Sequence, residues 1–229
     1  VTPHKQRILA GDEYIARIDE GGGTPSRAGG CDALTQSLKE AMHQCEALIV
    51  SDYALGCVCE RTLNLVDHMR ARRPVVVDTR EMTSAARVHA TVVTPNLDEA
   101  CNATGHPVRT LASPTEFEEL ARSVRRVANS EAAAVTLGGV GVAVASADES
   151  AFIPAPLVGV RHTVGAGDSF TAGVALALAA GCELFDAVSL GVLAGSVSVS
   201  KPYTAVVTLP ELIDTLKSVQ FQPSRQACR

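Results

Sequence analysis

Short apolar runs alternate with stretches of helical period along most of this chain. Ala47–Ser51, Pro74–Val77, Thr91–Thr94 and Ala133–Leu137 are brief, rich in Val and Ala, and bounded by polar or turn residues, as buried strands are. Between them, Glu60–Arg72 puts Leu63, Val66 and Met69 on one helical face, and Pro95-Asn96 opens a helix over Leu97–Thr104. Ser113–Asn129 is a long amphipathic helix, and Val140–Ala145 is a strand expected to pair nearby. Further helices are expected at Ser169–Ala180, Leu184–Ser200 and Leu209–Val219, with a frayed tail after Gln220. At the front, Lys5–Leu9 and Tyr14–Asp19 read as a hairpin turning at Ala10–Glu13. Glu20–Gly30 then reads as a flexible loop. Asp32–Cys45 reads as a helix with Leu34, Leu38, Ala41 and Met42 on one face and Asp32 as its cap.

This βαβα alternation predicts an α/β fold: a doubly wound, mostly parallel sheet with helices on both faces. Ligands of such sheets bind beyond the carboxyl ends of the strands. The polar residues at those ends are Asp52, Asp78, Asn96 and Thr136.

Composition agrees with that fold and narrows the partners. Of 229 residues 46% are hydrophobic and none is Trp, so the core is built from Val, Ala and Leu, as suits a sheet buried on both faces. The net charge is −5, and no basic block interleaved with aromatics appears, so nucleic acid is not an expected partner. No segment has the pattern of a signal peptide or the length of a membrane span, so no membrane partner is expected. Seven irregularly spaced cysteines, with Cys57-Val58-Cys59 unlike a zinc spacing, read as free buried thiols of a cytoplasmic protein.

Chemistry concentrates in Arg161–Ala172, RHTVGAGDSFTA. Gly165-Ala166-Gly167 runs into a helix-prone stretch, and a Gly-rich turn at a helix start is an anion site. Asp168 beside that site repels an anion, which makes sense for a base that takes a proton from an attacking hydroxyl. The plainer reading is that Asp168 caps the helix. A nucleophile elbow fits only in part, since Thr171 stands where its last glycine belongs.

Two further stretches carry polar groups at strand ends. In Thr94-Pro95-Asn96-Leu97-Asp98-Glu99, one helical turn separates Asn96 from Glu99, a pairing that suits a Mg²⁺–phosphate cluster and equally a capping box. In Thr136-Leu137-Gly138-Gly139-Val140-Gly141, three glycines after a strand either wrap phosphates or make a tight hairpin. Val144 spoils a dinucleotide fingerprint there, and the chain has no Gly-Lys-Ser/Thr of a Walker loop.

Together VGAGDSFTAG, TPNLDE and TLGGVG, in this order, resemble the ribokinase-like, or PfkB, family of carbohydrate kinases. The likeness covers most of the chain. IVSDYALG, VVVDTR and SVSVSKPYTAVVTLPEL are similar to its heptose-7-phosphate kinase branch. The resemblance implies an ATP-dependent sugar kinase acting on a sugar phosphate such as heptose 7-phosphate. It makes Asp168 the base, the Gly165, Ala166 and Gly167 backbone an anion hole, and Asn96 and Glu99 the holders of phosphate and Mg²⁺. Thr136, Gly138, Gly139 and Gly141 would line the nucleotide phosphates. It also divides the chain into a partial lid hairpin and loop at 1–30, which in the family also pairs subunits into a homodimer, and a kinase core at 31–229.

The likeness has departures. The family's first strands and sugar-gripping acidic residue do not precede Val1, so the core is expected to be truncated at its front. Leu55 replaces a Lys of the DYxKG pattern, and Pro202-Tyr203 replaces a glycine-rich continuation. His162 stands where an Asp near the cation or Mg²⁺ site is usual, which speaks against a metal or potassium role there, and it reads as a surface or packing histidine. These departures motivate a second expectation, a nucleotide-binding remnant or regulatory homologue without kinase activity.

Overall fold

The computed structural model describes residues 3–11, 13–21, 28–107, 111, 113–203, 205–218 and 224–227. The apolar runs become the strands β3 (Leu48–Asp52), β4 (Val75–Thr79), β5 (Val92–Val93) and β6 (Ala132–Thr136), joined in parallel in that order. Helices α2 (Glu60–Met69), α3 (Met82–Ala85), α4 (Leu97–Thr104) and α5 (Pro114–Val127) connect them. Beyond β6 the sheet continues antiparallel through β7 (Gly141–Ala145), β8 (Glu149–Pro154) and β9 (Ser224–Ala227). Helices α6 (Ala166–Ala179), α7 (Leu184–Val199) and α8 (Leu209–Ser218) complete the core. A separate antiparallel hairpin, β1 (His4–Ala10) and β2 (Glu13–Glu20), and helix α1 (Ala28–Ala41) precede it.

The side-chain alternation of a strand explains why the sheet needs helices on both sides. Val75 and Val77 point into one core with Leu63 and Val66 of α2 and Leu120 and Val124 of α5. Val76, between them, points into a second core with Phe170 and Val174 of α6 and Val188 and Val192 of α7. All three valines are buried. Helix α6 is held tightly against α7: a Cβ at Gly191 would sit 2.6 Å from Val174 Cγ2 and 2.9 Å from the Phe170 carbonyl oxygen. A hydrogen bond of 3.1 Å between the buried hydroxyls of Thr94 and Thr171 ties the first half of α6 to the end of β5.

Several expectations from the sequence are corrected. Helix α6 begins at Ala166, not Ser169, because Gly165 takes the N-cap position with φ of 85°, a conformation open to glycine. Asp32 lies inside α1 and pairs with Arg61 rather than capping the helix, which starts at Ala28. Within the expected loop Glu20–Gly30, residues 22–27 lie outside the described residues, and Ala28–Gly30 is helical. The tail expected to fray forms β9 against β8, while 219–223, 228 and 229 lie outside the described residues. Strand β8 was not anticipated. The thiols are not uniformly free and buried: Cys59 is disulfide-bonded and Cys57 is exposed, whereas Cys101 is free and buried. The side chains of Cys31 and Cys228 lie outside the described residues. Among the described residues no helix is long and apolar enough to cross a membrane, and no His/Cys/Asp/Glu cluster of metal-binding form occurs.

Candidate active site

The carboxyl ends of the parallel strands open into one cleft of about 220 Å³. Asp52 closes β3, Asp78 lies near the end of β4, Asn96 follows β5 and Thr136 closes β6, and all four line this cleft. The start of α6 enters from the opposite face of the sheet and brings Gly167 and Asp168 to it. Tyr53, Arg80 and Glu99 complete the polar wall.

Local geometry sets each side chain. Asp52 Oδ1 accepts a hydrogen bond of 2.9 Å from the Ala54 N–H, making a tight turn in which Ala54 takes φ of 56°. A non-glycine residue there is strained, and such strain clusters at functional sites. The turn presents Tyr53, whose hydroxyl donates to Asp168 Oδ1 at 3.1 Å. Partial burial first, then the charge of Asp168, raises the Tyr53 pKa above its ordinary value of 10, so the phenol stays protonated and donates. Asp168 does not cap α6: Gly165 holds the cap position with no side-chain cap bond, and Asp168 stands in the first turn, exposed toward the cleft.

Asn96 and Glu99 form the capping box of α4. Asn96 Oδ1 accepts from the Glu99 N–H at 2.9 Å, and Glu99 Oε2 accepts from the Asn96 N–H at 3.0 Å. The Asn96 amide Nδ2 and Glu99 Oε1 keep no protein partner among the described residues. The Thr136 N–H donates to the Pro95 carbonyl at 2.9 Å, and Asn96 and Thr136 form a parallel bridge. The second and third motifs of the sequence are thus side by side.

The cleft is electrostatically lopsided. Asp52, Asp78, Glu99 and Asp168 face it against one lining cation, Arg80. Burial, then the charges of Glu99 and Asp168, pushes the Asp78 carboxyl up to about 6, while Arg80 pulls the other way. No three of these side chains are set to ligate a metal directly among the described residues, but Glu99 Oε1 can accept from the waters of a hydrated divalent cation and the Asn96 Nδ2 hydrogens can donate to a phosphate oxygen. Such a cation relieves the repulsion that raises Asp78.

A second cavity, of about 380 Å³, lies on the other side of the α6 start. Its walls are largely apolar, including Val142, Val160, Phe170 and Val192, and Gly138, Gly139 and Gly141 line its mouth. Its volume falls in the ordinary range of small-molecule pockets. Thr136 and Gly167 line both cavities, so the two chambers meet there, beside Asp168. At the meeting point the Ala166 N–H is drawn weakly to the Thr163 carbonyl at 3.4 Å, while the Gly167 and Asp168 N–H groups have no acceptor among the described residues. Open first-turn N–H groups and the helix dipole make an anion site. The open donors lie one residue further along than the Gly165–Gly167 triplet read from the sequence.

The structure thus brings Asp168, Gly167, Asn96, Glu99 and Thr136 to one cleft, and Ala166, Gly138, Gly139 and Gly141 to the adjoining cavity. Gly165 lines neither and serves as the helix cap. The Thr136–Gly141 segment is both a hairpin turn and a cavity wall, with the Leu137 N–H bonded to the Gly141 carbonyl at 2.9 Å. His162 packs, its ring stacked on Tyr203 with centroids 5.4 Å apart. Sequence reasoning assigned no role to Tyr53 or Arg80. Tyr53 directly follows Asp52 and Arg80 stands two residues after Asp78, just past the end of β4, so the rule that singles out Asp52 and Asp78 extends to the residues immediately beyond the strand ends.

Comparison with known proteins adds a family. The description "pfkB family carbohydrate kinase" matches residues 29–212. Among curated proteins, the bifunctional protein HldE of Caulobacter vibrioides is 33% identical over 97% of this chain and 46% of its own length. The protein of the same name from Helicobacter hepaticus is 26% identical over 97% of this chain and 45% of its own. The chain therefore spans under half the length of these relatives. Among solved structures, Escherichia coli phosphofructokinase-2 in complex with substrates and products aligns with a TM-score of 0.73 and 20% identity, over 94% of this chain and 70% of that one. Ribokinase from Thermotoga maritima aligns at 0.69 and 20% identity, over 94% and 70%. At that identity the likeness is one of fold.

Proposed function

This chain belongs to the pfkB carbohydrate kinase family, and from that premise we propose that it transfers the γ-phosphoryl group of ATP to a hydroxyl of a sugar phosphate, heptose 7-phosphate first among candidates. The observation that carries the reading is the meeting of the two cavities at Thr136 and Gly167, beside an exposed Asp168. A nucleotide in the apolar cavity would present its last phosphate at that junction. An acceptor in the polar cleft would present its hydroxyl to Asp168.

In this reading Asp168 takes the acceptor proton as the oxygen attacks. Tyr53 keeps the carboxylate turned toward the cleft. The backbone of the Gly165-Ala166-Gly167 turn, through the open N–H groups of Gly167 and Asp168, stabilises negative charge on the transferred group. Thr136, Gly138, Gly139 and Gly141 hold the nucleotide phosphates. Asn96 and Glu99 are the residues that would hold hydrated Mg²⁺, which when bound neutralises charge on the phosphates. Phosphoryl transfer asks mainly for positioning and charge stabilisation, which these groups supply. The heptose branch rests on the likeness of IVSDYALG and VVVDTR. An ATP donor and the free Cys45, Cys57, Cys101 and Cys182 support a cytoplasmic setting, while the disulfide at Cys59 speaks for an oxidising one.

A coupled ADP-release assay over free and phosphorylated sugars tests the reading. ADP release with a sugar phosphate, lowered by orders of magnitude in Asp168→Asn, is the expected result. ATP binding without turnover of any sugar, or undiminished turnover in that variant, overturns it, and the former result is what a nucleotide-binding remnant would give.

A further inference from the structure

One disulfide stands among free thiols, and it lies at the end of the loop that carries Tyr53. Cys59 is disulfide-bonded, whereas Cys45, Cys57, Cys101 and Cys182 are free. Of the seven cysteines, Cys31 and Cys228 are left as its partner. Cys228 follows Ala227, the last residue of β9, and β9 is at the opposite edge of the sheet from β3. Helix α2 packs on the β4 valines, so the strand spacings to β9 put that edge on the order of 25 Å away. A disulfide needs its Cα atoms within about 7 Å. By contrast Arg61, two residues past Cys59, pairs with Asp32, the neighbour of Cys31, and α1 runs beside α2. The partner of Cys59 is therefore Cys31.

That bond anchors a loop with few other ties. Asp52 Oδ1 pins the Ala54 N–H at its near end, and Ala54 and Gly56 take φ of 56° and 79°. Residues 55–58 make no hydrogen bond among the described residues, and Val58 alone of them packs on the core. At the far end Cys59 is the N-cap of α2 and gives the helix no side-chain cap bond. An uncapped first turn is prone to open, and here the disulfide to α1 holds it.

The sulfur chemistry favours opening. Disulfides that coexist with free thiols in a reducing cell are usually transient or redox-sensing ones. Cys57, two residues from the bond, is free and exposed, so exchange partners reach this segment. The Thr62 hydroxyl lies 3.3 Å from Cys59 Sγ, and with the helix N-terminus it stabilises a thiolate there. We infer that Cys31–Cys59 is a redox latch: closed, it holds the loop that presents Tyr53 to Asp168, and a dithiol reductant opens it. The reductant's thiolate attacks Cys31 Sγ, and Cys59 leaves with the electron pair and takes a proton. The second thiolate of the reductant then attacks its own sulfur in the mixed disulfide, Cys31 leaves as a thiol, and the dithiol ends oxidised by two electrons. The effect of the latch on turnover rests on the kinase reading above, whereas its effect on the loop does not.

The test maps disulfides by mass spectrometry on chain alkylated without reductant, then follows hydrogen exchange over residues 53–60 and ADP release before and after dithiothreitol. The expected result is a Cys31–Cys59 bond that dithiothreitol opens. Exchange over the loop then quickens by about tenfold or more, and turnover falls several-fold, up to the roughly tenfold expected for losing the Tyr53 donor. Oxidised dithiothreitol restores both. Cys59→Ser behaves as the reduced wild type and ignores the redox state, while Cys182→Ser keeps the full response. Cys59 free in the unreduced chain, Cys59 joined to any cysteine but Cys31, or a loop whose exchange ignores the opened bond overturns the latch. A loop that responds in a chain that turns over no sugar leaves the latch standing and removes the kinase reading instead.

Discussion

The hydroxyl of Tyr53 donates to Asp168 Oδ1 across 3.1 Å, joining the end of β3 to the first turn of α6. β3 is a strand of the sheet and α6 packs on one of its faces, so the contact fixes the carboxylate relative to both. Tyr53→Phe keeps the ring under Lys5 and Arg80 and removes only the donor. It is expected to lower kcat roughly tenfold, the scale of one hydrogen bond to a charged group. The check is a double-mutant cycle with Asp168→Asn. If Tyr53 acts through Asp168, its substitution costs little more once the carboxylate is gone. Full additivity of the two losses would detach Tyr53 from the base.

Glu99 answers both to its helix and to the cleft, and the two roles separate by substitution. Glu99→Gln keeps a side-chain acceptor for the Asn96 N–H, so the melting temperature should barely move. Removing the charge should raise the Mg²⁺ concentration needed for half-maximal turnover by roughly tenfold, as losing one charge-assisted ligand does. Glu99→Ala should show the same Mg²⁺ effect and lose about 1 kcal/mol of stability with the cap. A Gln variant with wild-type Mg²⁺ dependence would leave Glu99 a capping residue and nothing more.

How legible the fold was depended on where its information lies. β4 and β6 are readable because strands buried on both faces read as Val and Ala runs, and β3 because Leu48-Ile49-Val50 is apolar even though its Ile49 is exposed, whereas β8 and β9 carry Glu149-Ser150 and Ser224-Arg225-Gln226, which give no strand signal. The β9 backbone is extended because β8 offers it an edge. The start of α6 was misplaced because Gly165-Ala166-Gly167 has no strong helix propensity, and the helix is set there by a positive-φ cap and by packing on α7. Asp52, Asp78, Asn96 and Thr136 were found from strand ends alone. The Tyr53–Asp168 contact spans 115 positions, and no local pattern announces a pairing at that distance.

The packing of α6 on α7 holds the glycine turn in place, which makes Gly191 a remote support of the site. A methyl group there would press on Val174 and on the Phe170 carbonyl, and backbone cannot swing aside as a side-chain tip does. Gly191→Ala is expected to destabilise the protein by about 1–3 kcal/mol through overpacking, although alanine is the better helix former. Urea denaturation checks the direction. Because α6 must shift, turnover should fall even where the variant is fully folded. A variant more stable than the wild type would mean that the helices part at no cost.

Asp78 gives the cleft a signature in pH. Its pKa in the folded chain is about 6, against an ordinary 3.8. Below 3.8 the group is protonated in folded and unfolded chains alike, and its stabilising contribution is fully present. Between 3.8 and about 6 the unfolded chain releases a proton that the folded chain keeps, so stability drains away as the pH rises. Above about 6 both forms are ionised and the loss is complete. Asp78→Asn cannot ionise, so its melting temperature relative to the wild type should climb from pH 4 to pH 7, levelling off past about 6. Taking the difference cancels the titrations that the two proteins share. Because Glu99 and Asp168 raise the Asp78 pKa, the same difference measured in a Glu99→Gln background should climb less and level off at lower pH. A flat difference between wild type and Asp78→Asn would mean that the carboxylates at the strand ends do not feel one another, and would remove the electrostatic reason for a cation in the cleft.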